Sequence, residues 1–180
     1  IPEVNSEHME LINYQAYGDG KIITNPNCST IGMVLALKPI LDEFGLKAVH
    51  VVTLQALSGA GYPGVPSLDI IDNVMPHIGG EEDKMETEPL KLFGKYENGA
   101  IENLDLRISA QCNRVAVVHG HTECLSIQLD QEAEPEDLIR AWDNFRSEPQ
   151  QLNLPTAPER PTIYLREEAY PQPKLHRNVD

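Results

Sequence analysis

The sequence predicts an α+β domain: one mixed, largely antiparallel sheet with helices packed on one face. Two observations carry this. From Ile31 to Phe44 apolar residues recur at three- and four-residue steps (Ile31, Val34, Leu37, Leu41, Phe44), as on one face of a helix. Met33, Ala36 and Ile40 broaden that face. Strand-like stretches follow, β-branched at Leu46 to Leu57 and alternating at Leu104 to Val118 and Leu125 to Leu129. A sheet covered by helices on one side leaves the other as a candidate surface for a second copy.

The 180 residues suit one domain with a real core, and 41% are hydrophobic. Fourteen basic against 28 acidic residues leave a formal charge of −14, which argues against nucleic acid and anionic membranes as partners. An anionic substrate would need a locally basic pocket. No apolar run approaches the ~20 residues of a membrane span, and no signal peptide opens the sequence. The three cysteines, Cys28, Cys112 and Cys124, form no dense framework. The expected setting is reducing and cytoplasmic.

In chain order, Ile1-Pro2-Glu3-Val4 reads as the end of a strand, and Asn5 or Ser6 as the cap of a short helix carrying His8, Met9, Leu11 and Ile12. Asn25-Pro26-Asn27-Cys28-Ser29-Thr30 comes next. Asn27, Ser29 or Thr30 can cap the long helix, and Gly45 can stop it. Cys28 therefore sits at or just before a helix N-terminus, where free N–H groups and the helix dipole favour a nucleophilic thiolate. The bland alternative is a small buried cysteine at a turn.

Leu46 to Leu57 reads as a buried strand, with Gln55 a polar residue leaving it. Gly59-Ala60-Gly61-Tyr62-Pro63-Gly64 matches G-x-G-x-x-G in form, but Pro63 and Pro66 spoil the helix that a dinucleotide fingerprint must open. Ser67 to Ile78 reads as a short helical turn and a loop. Glu81-Glu82-Asp83-Lys84, by default a solvated face, leads into a helix over Met85 to Phe93 interrupted near Pro89. Gly94 to Asn103 is polar with an Asn98-Gly99 turn signal.

Arg114 interrupts the apolar alternation of its strand, so a buried ion pair or an anion site becomes plausible for its planar fork. His121 lies seven residues further on. An odd separation puts the two on opposite faces of a regular strand. They can serve one site only if Gly120 marks a bulge or bend. His119 is the rival histidine. Glu134-Pro135-Glu136 opens a helix whose apolar face is Leu138, Ile139, Trp142 and Phe145. Pro161 to Leu165 reads as an edge strand. Cys112 and Cys124 read as structural, and no metal motif is present.

Four of these stretches, in order, resemble the archaeal and fungal branch of the aspartate-semialdehyde dehydrogenases. They are Asn25 to Thr30, Gln55 to Gly61, Gly79 to Lys84 and Cys112 to Glu123. The resemblance implies the fold of the C-terminal domain of glyceraldehyde-3-phosphate-dehydrogenase-like enzymes. It implies Cys28 as nucleophile and His121, followed by Thr122 and Glu123, as acid and base. It also implies Arg114 on the substrate carboxylate, Glu81 (or Glu82) on the α-amino group, Lys84 on phosphate, and Asn27 and Gln55 at the substrate. The backbone of Ser58, Gly59 and Ala60 would meet the nicotinamide end of NADP. In that family this stretch follows a dinucleotide-binding domain and continues into a return helix. Residues 1–180 would then be the catalytic and dimerisation domain, inactive alone.

The implied reaction reduces 4-phospho-L-aspartate to aspartate 4-semialdehyde through a Cys28 thioester, with backbone N–H groups near Asn27 and Cys28 holding the oxyanion. The implied setting is lysine, threonine and methionine biosynthesis, by a homodimer or dimer of dimers. The alternatives are a related reductase acting on malonyl-CoA or N-acetylglutamyl phosphate, a non-catalytic dimer scaffold, and a cysteine hydrolase using Cys28 and His121 alone. Arg114 together with Glu81 and Lys84 favours an amino-acid phosphate.

Overall fold

The structure, a computed structural model, describes residues 1–177. Helix α1 (Pro2–Asn5) and a 3-10 segment (Ser6–Tyr14) precede the long helix α2 (Cys28–Phe44). Strand β1 (Leu46–Gln55), short helix α3 (Ser67–Ile70) and helix α4 (Glu81–Leu92) follow. A small hairpin, β2 (Lys95–Glu97) and β3 (Ala100–Glu102), leads to β4 (Arg107–Arg114) and β5 (Thr122–Leu129). Helices α5 (Pro135–Asn144), α6 (Glu148–Gln151) and α7 (Pro173–His176) complete the described chain.

The main sheet has the order β4-β1-β5. Strand β1 runs parallel to β4 and antiparallel to β5, and the hairpin is antiparallel. The sheet is thus mixed, as expected. Val49, Val51, Ala110 and Cys112 point to one face and share a core with Met33, Leu37 and Ile40 of α2, Met85 of α4 and Ala141 of α5. Met33 and Ile40 are fully buried, and burying such a side chain is worth about 1.5–3 kcal/mol. Met33→Ala would cost on the order of 2–5 kcal/mol through the cavity it leaves.

Along this inner face the cross-strand rows change character. Ile108, Val49 and Ile127 form one row, and Ala110, Val51 and Leu125 the next. Cys112, Thr53 and Glu123 then line up, and Gln55 pairs with Arg114 at the end. The apolar rows bind the helices, and the polar rows are the floor of the site at the strand ends.

Several expectations are corrected. Ile1 to Val4 does not end a strand. Pro2 starts a helix, where its fixed φ and missing N–H cost nothing, and Val4 packs with Val34 and Leu92. Helix α4 begins at Glu81 rather than Met85 and runs through Pro89 without a break. Met85, Pro89 and Leu92 are all buried on one face, which offsets the lost hydrogen bond. The turn signal at Asn98-Gly99, by contrast, is borne out by a hairpin whose two turn residues both have positive φ. Pro161 to Leu165 forms no strand. It lies along α5, with the Thr162 hydroxyl donating to Trp142 O at 3.0 Å and the Tyr164 ring stacked 6.2 Å from that of Trp142.

Candidate active site

Asn27 is the cap of α2. Its side-chain oxygen accepts from Ser29 N at 2.9 Å and Thr30 N at 3.2 Å, so Cys28 is the first helical residue and is exposed. Gly45 ends the helix with a φ of 68°, its N–H on Leu41 O at 3.0 Å. The cap holds the Ser29 and Thr30 amides, and the Asn27 N–H donates to Glu88 Oε2 at 2.9 Å. The expected oxyanion role for the Asn27 amide is thereby corrected, since that donor is already taken. The Cys28 N–H is the first-turn amide that neither the cap nor a carboxylate engages among the described residues.

His121 Nε2 lies 3.2 Å from Cys28 Sγ. The required bend is present: β4 ends at Arg114, residues 115–121 are irregular, and Gly120 has a φ of 89°. Leu57 N and Ser58 N donate to Val117 O and Val118 O at 2.7 and 3.1 Å, which fastens this bend beside the end of β1. Arg114 and His121 thus come together, whereas His119 is exposed.

The Ala56 N–H donates to His121 Nδ1 at 2.9 Å. In neutral imidazole the proton must then sit on Nε2, facing the sulfur. Burial and the Arg114 charge together hold the His121 pKa below its ordinary value, against the weaker pull of Glu81. His121 is therefore a neutral hydrogen-bond donor, and a second proton at Nδ1 would have to displace the Ala56 N–H.

Glu81 gathers three partners. Asn27 Nδ2 and Gln55 Nε2 donate to its Oε2 at 2.8 and 3.2 Å, and Lys84 Nζ reaches its Oε1 at 3.0 Å. Burial pushes the carboxyl up, but the bonds from Lys84, Asn27 and Gln55 outweigh this and hold it below the usual carboxylate range. Glu81 is thus an anion at neutral pH. The hydrogen bond to Glu81, with its charge, raises the Lys84 pKa, so Lys84 keeps its proton. Glu82 points elsewhere, accepting from Cys112 N at 3.1 Å. Arg114 is buried, its Nη1 donating to Ala56 O at 2.8 Å.

Ser58, Gly59 and Ala60 lie in an exposed 3-10 turn (Leu57–Ala60) beside these groups. A Cβ on Gly59 would sit 3.0 Å from His121 Cε1 and 3.4 Å from Arg114 Nη1, so a glycine is what lets the backbone come this close.

In the sequence Glu82 belongs to a charge run that is by default a solvated face, and Glu86 carries no signal of its own. Glu82 and Glu86 instead accept the outward N–H groups of Cys112 and Ala110, at 3.1 and 3.0 Å, along the edge of β4. Their four-residue spacing, the repeat of one helix face, was the available signal.

A family model described as semialdehyde dehydrogenase, dimerisation domain, matches residues 37–180. The aspartate-semialdehyde dehydrogenase of Methanothermobacter thermautotrophicus is 51% identical over 183 residues, covering 100% of this chain and 53% of the relative. The chain belongs to the semialdehyde dehydrogenase family, as its dimerisation domain. The enzyme of that name from Schizosaccharomyces pombe is 44% identical and is matched over 53% of its length. The aspartate-semialdehyde dehydrogenase structure with NADP from Candida albicans superposes with a TM-score of 0.86 at 38% identity, covering 98% of this chain and 53% of that one. The chain therefore spans about half the length of the aspartate-semialdehyde dehydrogenases it matches. The turn from Asn25 to Thr30 lies ahead of the residues matched by the family model, but within the span of both relatives.

Proposed function

We propose that this chain carries the catalytic groups of an NADP-dependent reduction of 4-phospho-L-aspartate to L-aspartate 4-semialdehyde. The observation that carries the reading is the Cys28 sulfur at the start of α2, 3.2 Å from His121 Nε2. The Arg114 fork would take the substrate α-carboxylate, the Glu81 anion its α-ammonium, and Lys84 its phosphate. Asn27 and Gln55 hold Glu81 in place by the bonds described above.

Cys28 attacks the acyl carbon as the thiolate, its proton already released to solvent. A C–S bond forms, the bond to the phosphate oxygen breaks, and phosphate departs to take its proton from solvent. NADPH would supply the hydride that reduces the resulting thioester, with the exposed Ser58–Ala60 turn as a backbone surface that fits its nicotinamide end. In both steps negative charge develops on the former carbonyl oxygen. The His121 Nε2–H and the Cys28 N–H are the donors available to it. The reduced adduct collapses to aldehyde by breaking the C–S bond, which returns the thiolate. His121 then serves as a neutral donor, a narrower task than acid and base. The proposed setting is cytoplasmic amino-acid biosynthesis leading to lysine, threonine and methionine, in a homodimer or a dimer of dimers.

The test is phosphate-dependent oxidation of aspartate 4-semialdehyde with NADP by the full-length enzyme. Cys28→Ala should abolish it. Activity with malonyl-CoA or N-acetylglutamyl phosphate and none with the aspartyl substrate would replace this reading with a related reductase.

A further inference from the structure

We propose that Glu88 is a positioning residue for the nucleophile: it holds the Asn27 backbone and so aims the first turn of α2, without touching substrate. The proposal rests on the reading of Cys28 as the nucleophile.

Glu81 and Glu88 lie seven residues apart on α4, two turns of one helix face. Both reach the same residue. Glu81 Oε2 accepts from Asn27 Nδ2 at 2.8 Å, and Glu88 Oε2 accepts from the Asn27 backbone N–H at 2.9 Å. Asn27 in turn uses its side-chain oxygen to close the first turn of α2, the turn that starts with Cys28. The orientation of the sulfur is thus set by bonds converging on one cap residue.

The two carboxylates differ in what they can do during reaction. Glu81 is the proposed partner of the substrate ammonium, and its contact with Asn27 must adjust when substrate binds. Glu88 holds a backbone N–H instead, and this bond can persist throughout. Thr30 adds a third link between the helices, its hydroxyl 3.6 Å from Met85 Sδ, but that is a weak sulfur contact. Glu88 is therefore the strong tether between α4 and the backbone of the nucleophile turn. A displacement of about 1 Å at a reacting atom can cost on the order of 100-fold in rate.

The first measurement is alkylation of Cys28 in this chain, followed on the Cys28 peptide by mass spectrometry. Glu88→Ala should slow it by roughly 10-fold or more. Glu88→Gln, which retains an acceptor oxygen at the same reach, should restore it to within about threefold. In the full-length enzyme Glu88→Ala should lower kcat by a similar factor, with KM for aspartate 4-semialdehyde within about twofold. Equal losses in the Gln and Ala variants would overturn the proposal, because the role would then be charge. A lowered Tm with an unchanged alkylation rate would also overturn it, because the role would be structural alone. Alkylation needs no cofactor. If the dehydrogenase reading fails, the enzyme shows no activity while the alkylation series still decides the role of Glu88.

Discussion

The Ala56 N–H donates to His121 Nδ1 at 2.9 Å, and this one backbone bond decides which nitrogen faces the Cys28 sulfur. With Nδ1 committed as an acceptor, Nε2 carries the proton. Burial and the Arg114 charge then make a doubly protonated ring costly. The same surroundings orient the ring and keep it neutral.

His121 should accordingly titrate below its ordinary value near 6.5. Folding favours the neutral form, so its contribution to stability is present above the unfolded pKa and is lost as pH falls through the lower folded one. Imidazole NMR shifts over a pH series measure the midpoint. A midpoint at or above 6.5 would contradict the tautomer argument. His121→Ala should slow turnover by about 10²–10³-fold, the cost of losing one oxyanion donor.

Arg114 is buried at the end of β4 with its Nη1 on Ala56 O, which fixes the fork in orientation. Arg114→Lys keeps the charge and loses the paired geometry. The specificity constant for aspartate 4-semialdehyde should fall by about 1.5–3 kcal/mol in transition-state terms, the range for hydrogen bonds to charged groups. An unchanged specificity constant would refute the carboxylate assignment.

What the sequence made legible were the features written in local chemistry. A cap at Asn27, Ser29 or Thr30, the apolar face of α2 and the Gly45 stop each have a side-chain signature. So did the bend at Gly120, demanded by the odd separation of Arg114 and His121. What it hid depended on tertiary neighbours. Ile1 to Val4 and Pro161 to Leu165 carry apolar residues because they pack on helices, and nothing in such a short run tells that from sheet pairing. The Ala56 bond to His121 is made by the backbone and leaves no residue type to read. The glutamates of α4 look solvated until the edge of β4 is placed beneath them.

Glu123 points to the inner face of β5, in one row with Thr53 and Cys112, and its carboxyl lies against Gly32 of α2. Burial pushes its pKa from 4.5 up to about 8. Between those values the folded protein holds a proton that the unfolded chain has lost. The stabilisation is full below the unfolded pKa and declines as pH rises through the folded one, by about 1.4 kcal/mol per unit. Glu123→Gln keeps the shape and removes this slope. Urea denaturation at pH 5.5 and 8.5 should show the variant gaining on the parent protein at the higher pH. A constant difference between the two proteins would show that Glu123 ionises normally.

The outer face of the sheet leads to the last prediction. The helices α2, α4 and α5 share the inner face, so His50, Val52, Ser109, Gln111, Cys124 and Ser126 lie on the side they leave uncovered. Val52 is half-buried at the centre of the middle strand, and Cys124 is exposed. A second copy laid across this face would cover both, consistent with the dimerisation-domain family model. Sedimentation should therefore find a dimer, and Val52→Arg should yield a folded monomer by placing a charge at the seam. The cysteines give an independent readout. Cys112 is buried and its thiol is pushed up by that burial, so it should stay slow throughout. Cys28, exposed at a helix start beside a donor, should alkylate fastest. Cys124 should be protected in the dimer and become reactive in the Val52→Arg variant. A dimer that persists in that variant, with Cys124 still protected, would move the interface to another face. A monomeric parent chain would remove the dimer altogether.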